Sequence, residues 1–182
     1  MMNVIKRIKD LDPRGLMASK KLRAYMEKAE SELIRGLSKI LVLSIIKQSG
    51  EKGQYGYKII KEIEKQTKNT LVLEEGALYP LLRQLKTNDL LTSKQETVQG
   101  RNRTYYAITP KGIQFYNRMA GFFTKITESL SPILDVDFII KHEKYYYCPM
   151  CANKIDIAED EKFCSMCGHN IYDDIKNRRL EK

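Results

Sequence analysis

Apolar positions fall into two periods along this chain, and the change from one to the other divides it. From Ser31 to Lys47, Leu33, Ile34, Leu37, Ile40, Leu41, Leu43, Ile45 and Ile46 recur at helical spacing in a stripe broad enough to be largely buried. Ser49-Gly50-Glu51-Lys52-Gly53 stops this helix as a turn. A second helix is predicted from about Tyr55 to Thr67, with Tyr57, Ile59, Ile60 and Ile63 inward and Lys58, Lys61, Glu62, Glu64 and Lys65 outward. A third runs from about Glu75 to Asn88, with Leu78, Leu82 and Leu85 facing the core and Pro80 near enough to the start to cost little hydrogen bonding. After Asp89 the period becomes two. Leu90–Val98 and Thr104–Thr109 read as strands around a tip at Gln99-Gly100-Arg101-Asn102-Arg103. Thr109-Pro110 then reads as an N-cap followed by proline at the first helical position. The helix beyond has a seam of Tyr116, Met119, Phe122, Phe123, Ile126 and Leu130, and Pro132 is expected to end it. Upstream, a short helix at Ser19–Glu30 follows a break at Asp12-Pro13-Arg14-Gly15. Helix, helix, helix, hairpin and long helix is the order of a winged helix-turn-helix, mainly α with a small β hairpin.

Charge adds a partner to this outline. The 182 residues carry 32 Lys and Arg against 23 Asp and Glu, net +9. Residues 1–112 hold +10 of this, and residues 113–182 hold −1. A basic excess confined to the helices and hairpin points to nucleic acid as the anionic partner. No apolar run approaches the ~18 residues that span a bilayer, and the N-terminus never develops a secretory signal's apolar core. A cytoplasmic location is the expectation. Catalytic groups are sparse: there are two His and no Trp. No Ser/His/Asp set, phosphate-binding loop or paired catalytic carboxylates is evident, so an enzyme is not expected.

The third helix is the expected reader. Tyr79, Arg83 and Lys86 share a face opposite the leucines, bordered by Ala77, Pro80 and Gln84. A helix of this kind fits the major groove, where Arg83 can pair with guanine or phosphate and Lys86 holds the backbone. Arg101 and Arg103 at the hairpin tip form a clamp for the minor groove or its phosphates. Tyr79 suits either bracing the helix or touching phosphate.

These segments also resemble a known family. Ile40-Leu41-Val42-Leu43-Ser44-Ile45-Ile46, Tyr55-Gly56-Tyr57-Lys58-Ile59, Glu75-Gly76-Ala77-Leu78-Tyr79-Pro80-Leu81-Leu82-Arg83-Gln84-Leu85 and Gly100-Arg101-Asn102-Arg103-Thr104-Tyr105-Tyr106-Ala107-Ile108-Thr109-Pro110-Lys111-Gly112 resemble the PadR family of transcriptional regulators, in its order and near its spacing. The likeness covers about residues 31–131. It implies a homodimer whose long C-terminal helices pack across a two-fold axis, double-stranded DNA carrying a palindromic operator as partner, and repression relieved by a small molecule or other signal. Two positions depart from the family pattern: Glu74 stands where a small hydroxyl residue is usual, and Ala77 where threonine is frequent. Acidic residues at a helix start suit its dipole but repel phosphate.

All four cysteines lie in Cys148-Pro149-Met150-Cys151 and Cys164-Ser165-Met166-Cys167-Gly168. Paired C-x-x-C turns present four soft ligands in a tetrahedron, and the segment Tyr145–Tyr172 resembles a zinc ribbon. Structural Zn2+ is the expected cofactor, since four protein ligands leave no open position. Iron in a rubredoxin-like site uses similar knuckles. Disulfides require an oxidising compartment, and a redox C-x-x-C requires a thioredoxin-like setting. Met150 and Met166 are expected to pack over the site. Four thiolates and a divalent cation bring residues 148–182 from −1 to −3, a poor DNA clamp and a better protein-docking surface or dimer brace.

The sequence thus divides into an N-terminal basic extension (1–30), a winged helix-turn-helix (31–112), a dimerisation helix and linker (113–140), a small zinc ribbon (145–172) and a charged tail (173–182). A sequence-specific regulator is the leading expectation. The alternative is a protein-interaction adaptor docking on transcription machinery through winged helix and ribbon, with a metal- or redox-responsive form as its sharper version.

Overall fold

The computed structural model describes residues 5–8, 20–135, 144–159 and 161–180. The Asp12–Gly15 break and most of the linker after Asp135 lie outside the described residues. The chain forms two compact units, Met1–Ile113 and Gln114–Lys182.

In the first unit, strand β1 (Ile5–Ile8) precedes helix α1 (Lys20–Gln48). α1 is continuous, so the boundary expected at residue 30 falls inside a helix. The run Ala24-Tyr25-Met26-Glu27-Lys28-Ala29-Glu30 holds good helix formers and no breaker, so nothing interrupts it. Strand β2 (Gln54–Tyr55), helix α2 (Gly56–Gln66), strand β3 (Leu71–Leu73) and helix α3 (Glu75–Thr87) follow, then strands β4 (Leu91–Val98) and β5 (Arg101–Ile108). Helix α4 (Pro110–Leu134) begins at the end of this unit. β1 and β3 pair antiparallel, and β2 joins the hairpin in the order β2-β5-β4. The core is the expected Leu43, Ile45 and Ile46 of α1 with Ile59, Ile60 and Ile63 of α2 and Leu78, Leu82 and Leu85 of α3, joined by Val42. Leu33 and Tyr57, expected inward, are instead 76% and 52% exposed, because the first unit's core lies against the C-terminal half of α1 and Tyr57 turns to the cleft beside α3.

The hairpin turn is tighter than expected. Val98 pairs with Arg101, leaving Gln99 and Gly100 as a two-residue turn. Both take positive φ, 51° and 72°, as the hairpin turns that match strand twist require. Arg101 and Arg103 are therefore strand residues on one face of β5. Asn102 is held on the other, accepting a 2.7 Å hydrogen bond from the Thr97 hydroxyl. At the start of α4 the Thr109 hydroxyl accepts from the Gly112 amide at 2.9 Å and donates to the Asp89 carbonyl at 2.7 Å. This is the expected cap, tied also to the end of α3.

The second unit contains the rest of α4, strands β6 (Tyr145–Tyr147) and β7 (Lys154–Asp156) and helix α5 (Tyr172–Leu180). α4 passes through Pro132 and ends at Leu134. The helix runs only two residues past the proline, so the break expected at Pro132 comes just after it. The ribbon also reaches beyond residue 172: Ile175 of α5 is buried with Cys148, Ile155, Cys164 and Ile171. Tyr146 donates to Asp174 at 2.5 Å. The expected charged tail is thus, in its first turn, a lid on the ribbon core.

Candidate nucleic-acid interface and metal centre

α3 separates its faces cleanly. Leu78, Leu81, Leu82 and Leu85 are buried, whereas Tyr79, Pro80, Arg83, Gln84 and Lys86 are exposed. Ala77 corrects the expected contact set: it is 3% exposed and belongs to the core side of the helix. It stands one position before Leu78 and four before Leu81, which places its methyl on the buried face.

Tyr79 of α3 lies beside the start of α2 and shares a cleft with β5. Its ring lies 3.0 Å from the position a Cβ on Gly56 would occupy, so a side chain there would displace the tyrosine. Tyr79, Tyr55 and Tyr57 at the start of α2, and Arg101, Arg103 and Thr104 of β5 line one open cleft of about 570 Å3. The Arg103 guanidinium lies 4.6 Å from the Tyr55 ring centroid, and that ring meets Tyr105 edge-on at 5.5 Å between centroids. Stacking of this kind aims a cation while leaving its donors available. Burial pushes the Tyr106 hydroxyl above its ordinary pKa, Tyr79 adds to the rise and Arg83 opposes it. Tyr106 of β5 therefore lies within electrostatic reach of the reader face. The sequence pointed to Tyr79, Arg101 and Arg103; Tyr55, Tyr57 and Thr104 join them in the cleft only through the fold, and Arg83 is not among the residues that line it.

The seam expected on α4 divides. Phe122, Phe123, Ile126 and Leu130 are exposed, and Ile133 extends them. Met119 is half-buried. Tyr116, also half-buried, has the Lys154 ammonium 5.7 Å from its ring centroid, and the same ammonium lies 3.6 Å from Tyr145. Tyr116 thus belongs partly to the ribbon.

The four cysteines converge. Their Sγ atoms all lie within 4.8 Å of one another, with Cys148–Cys167 and Cys151–Cys164 each at 3.6 Å. None is in a disulfide. A tetrahedral Zn2+ with Zn–S bonds of about 2.3 Å sets its sulfurs about 3.8 Å apart, so this donor set fits such an ion. The backbone repeats itself around it. In the first knuckle Ala152 N–H donates to Cys148 O at 2.8 Å and Cys148 N–H to Asn153 O at 3.0 Å. In the second, Gly168 N–H donates to Cys164 O and Cys164 N–H to His169 O, both at 2.8 Å. Ala152 and Gly168 occupy the same place with positive φ, 55° and 73°. Alanine is strained there, at roughly 1 kcal/mol.

Burial pushes the Cys151 thiol up to about 12 and raises that of Cys148, while the His169 amide lowers that of Cys167. A divalent cation reverses this balance, because coordination deprotonates a thiol outright. Asn153, 3% exposed, points its Nδ2 at Cys164 Sγ from 3.7 Å and so connects the knuckles. Its Oδ1 has no partner. Met150 and Met166 do not cover the site: Met150 is 72% exposed, and Met166 is exposed as well. The buried role passes to Ile171 and Ile175.

The first knuckle rests on α4. A Cβ on Gly121 would collide with the Ala152 carbonyl and come within 3.1 Å of the Tyr147 ring. Glycine inside a helix costs about 0.5–1 kcal/mol relative to alanine, and here it permits that approach.

The family model of the transcriptional regulator PadR-like family matches residues 42–118. The chain belongs to this family. A PadR family transcriptional regulator from Eggerthella lenta is 24% identical, covers 65% of this chain and 100% of its own, and superposes with a TM-score of 0.55; at that identity the likeness concerns the fold. A transcriptional regulator from Clostridium thermocellum is 30% identical over 57% of this chain and 95% of its own, with a TM-score of 0.47. An uncharacterised protein of Lysinibacillus sphaericus is 27% identical over 106 residues, 58% of this chain and 94% of its own. The PadR-like match ends three residues before Gly121, so the ribbon and its seat lie beyond the family's matched region. Among the described residues no helix is long and apolar enough to cross a membrane.

Proposed function

We propose that this PadR-like protein is a homodimeric, sequence-specific repressor that reads a palindromic operator in double-stranded DNA and is released by an effector. The observation that carries the reading is the cleft in which Tyr79 of α3 faces Arg101 and Arg103 of β5. Reader helix and wing converge there around cations and aromatic hydroxyls suited to a phosphate backbone. α3 enters the major groove; Arg83 pairs with a guanine edge or a phosphate, Lys86 holds the backbone, and Pro80 and Gln84 border the contact. Arg101 and Arg103 follow the adjacent minor groove. The exposed stripe Phe122, Phe123, Ile126, Leu130 meets its equivalent in a second copy, placing two readers on two half-sites. The four cysteines hold structural Zn2+, which folds the ribbon. The protein acts on DNA in the cytoplasm and catalyses nothing.

Binding of the purified protein to DNA from the vicinity of its own gene, against random duplex at equal salt, tests this. A protected site with dyad symmetry and a steep loss of affinity with salt are expected. Equal affinity for both duplexes overturns the reading.

A second reading, an adaptor docking on transcription machinery, draws on the exposed Met150, Phe163 and Met166 of the ribbon. It requires that ribbon deletion abolish partner capture while Arg83→Ala with Arg101→Ala leaves it intact.

A further inference from the structure

α4 carries different things on its two sides. Its exposed apolar stripe runs through Phe122, Ile126, Leu130 and Ile133. At 100° per residue Gly121 lies on the opposite side, buried under the ribbon's first knuckle. That knuckle is held from behind by the cysteine cluster. Cys148 and Cys151 supply two of the four thiols, Ala152 is kept in a left-handed turn between them and β7, and Asn153 reaches across to Cys164. Ala152 is therefore a shared element: its amide closes the thiol turn on Cys148, and its carbonyl lies over Gly121. Among the described residues the ribbon's buried hydrophobic cluster is small, Cys148, Ile155, Cys164, Ile171 and Ile175, and two of the five are metal-site cysteines. A core this small does not hold its shape without the bound ion.

We infer that this regulator takes a second effector, a thiophilic divalent cation of the zinc class that acts as a co-repressor and is read through Gly121: the first knuckle covers the back of α4 only while the four thiolates are coordinated. The inference rests on the regulator reading and deepens it. With the ion bound, Ala152 caps Gly121, Lys154 sits between Tyr116 and Tyr145, and α4 is held from Tyr116 to Gly121 with its stripe presented for pairing. When the ion is lost, nothing draws the four sulfurs together and the left-handed turn at Ala152 relaxes. Gly121 is then an uncovered glycine in the middle of a helix, the weakest point of α4. Dimer affinity and operator affinity fall together. Metal dependence of the ribbon fold alone would not require this; the seat at Gly121 does.

Hydrogen exchange on the full chain, with one zinc per protomer and after removal by a chelator, tests the coupling. Metal removal is expected to speed exchange at residues 116–125 of α4 at least tenfold while α2 and α3 stay protected. Unchanged exchange in α4 on chelation overturns the inference. Gly121→Ala provides the second arm. Alanine favours a free helix, so if Gly121 has no seat the variant gains stability and still responds to chelation like the parent. A seat gives the reverse: zinc content stays near one per protomer, α4 exchanges quickly even with zinc bound, and chelation adds little. DNA binding is followed separately. Loss of operator affinity on chelation of the parent protein is expected, and operator affinity that ignores the metal refutes the effector role. Absence of any specific DNA binding, with the exchange response intact, sinks the regulator reading and leaves the coupling of metal to α4 standing.

Discussion

Asn153 shows how much one side chain can decide at the metal centre. Its Nδ2 is the donor that joins the first knuckle to Cys164, and its buried Oδ1 has no compensating partner. The residue is retained at a cost of about 1–3 kcal/mol for that oxygen, so its value lies in the donor. Asn153→Ala should weaken metal retention about 10–100-fold, measured by chelator competition, because an outer partner of a ligand sulfur is lost. Asn153→Asp should weaken it further by placing a carboxylate beside thiolates. The thiols themselves give a pH dependence. Burial raises Cys148 and takes Cys151 to about 12, so without a cation both are protonated near neutral pH. Protons compete with the metal, and apparent metal affinity should therefore rise as pH increases from 6 to 9. A flat profile in the same chelator competition would contradict that assignment. The ligands were legible in the sequence because C-x-x-C spacing is a chemical statement. Asn153 was not, since nothing in Cys151-Ala152-Asn153 announces a side chain that turns inward. Ala77 failed differently: on a helix it borders both faces, and only packing against α1 and α2 decides which it joins.

At the scale of elements, the reader and wing were legible and the small strands were not. Period changes reveal α2, α3 and the hairpin directly, because each buries one face of its own sequence. β1 and β3 are four and three residues long and exist through pairing with each other across about sixty residues of chain. No local pattern encodes such a partner. α5 was hidden because, among the described residues, its buried contribution is Ile175, set within a charged run. The wing supports a graded prediction. Arg101 is exposed at the turn, whereas Arg103 is half-buried and stacked on Tyr55. Arg101→Ala should reduce the slope of log affinity against log salt by about 1 with little change in stability, as for one phosphate contact. Arg103→Ala should lower affinity by a similar amount and also loosen the aromatic pair of Tyr55 and Tyr105. Salt-titrated fluorescence anisotropy and thermal melts separate the two. Thr109→Val removes the cap of α4 and its bond to Asp89, and should cost about 1–2 kcal/mol in urea unfolding of the first unit. A loss below a few tenths would mean that the helix start is held by other contacts.

For the whole molecule, the distribution of charge and of apolar surface is more informative than either total. A net charge of +9 conceals +10 in residues 1–112 and −1 in the remainder. The basic part contains α3 and the wing, and the other contains the exposed stripe of α4 and the thiol site. On the proposed reading, binding and assembly use separate surfaces, so a mutation is expected to break one without touching the other. Ile126→Glu places a carboxylate in the middle of the stripe, at a residue already 40% exposed, so the folded protomer tolerates it. In a dimer packed through α4 the same carboxylate meets its symmetry mate in an apolar seam, where two unpaired charges cost several kcal/mol. Sedimentation should show a monomer at micromolar concentration with unchanged melting of the first unit. Operator affinity should fall by two orders of magnitude or more, because each half-site is then bound alone. Affinity for random duplex should be nearly unchanged, since that term comes from the basic unit. Selective loss of the specific term is what assembly through α4 requires. A variant that stays dimeric, or that loses specific and non-specific binding in parallel, would place the dimer contact elsewhere.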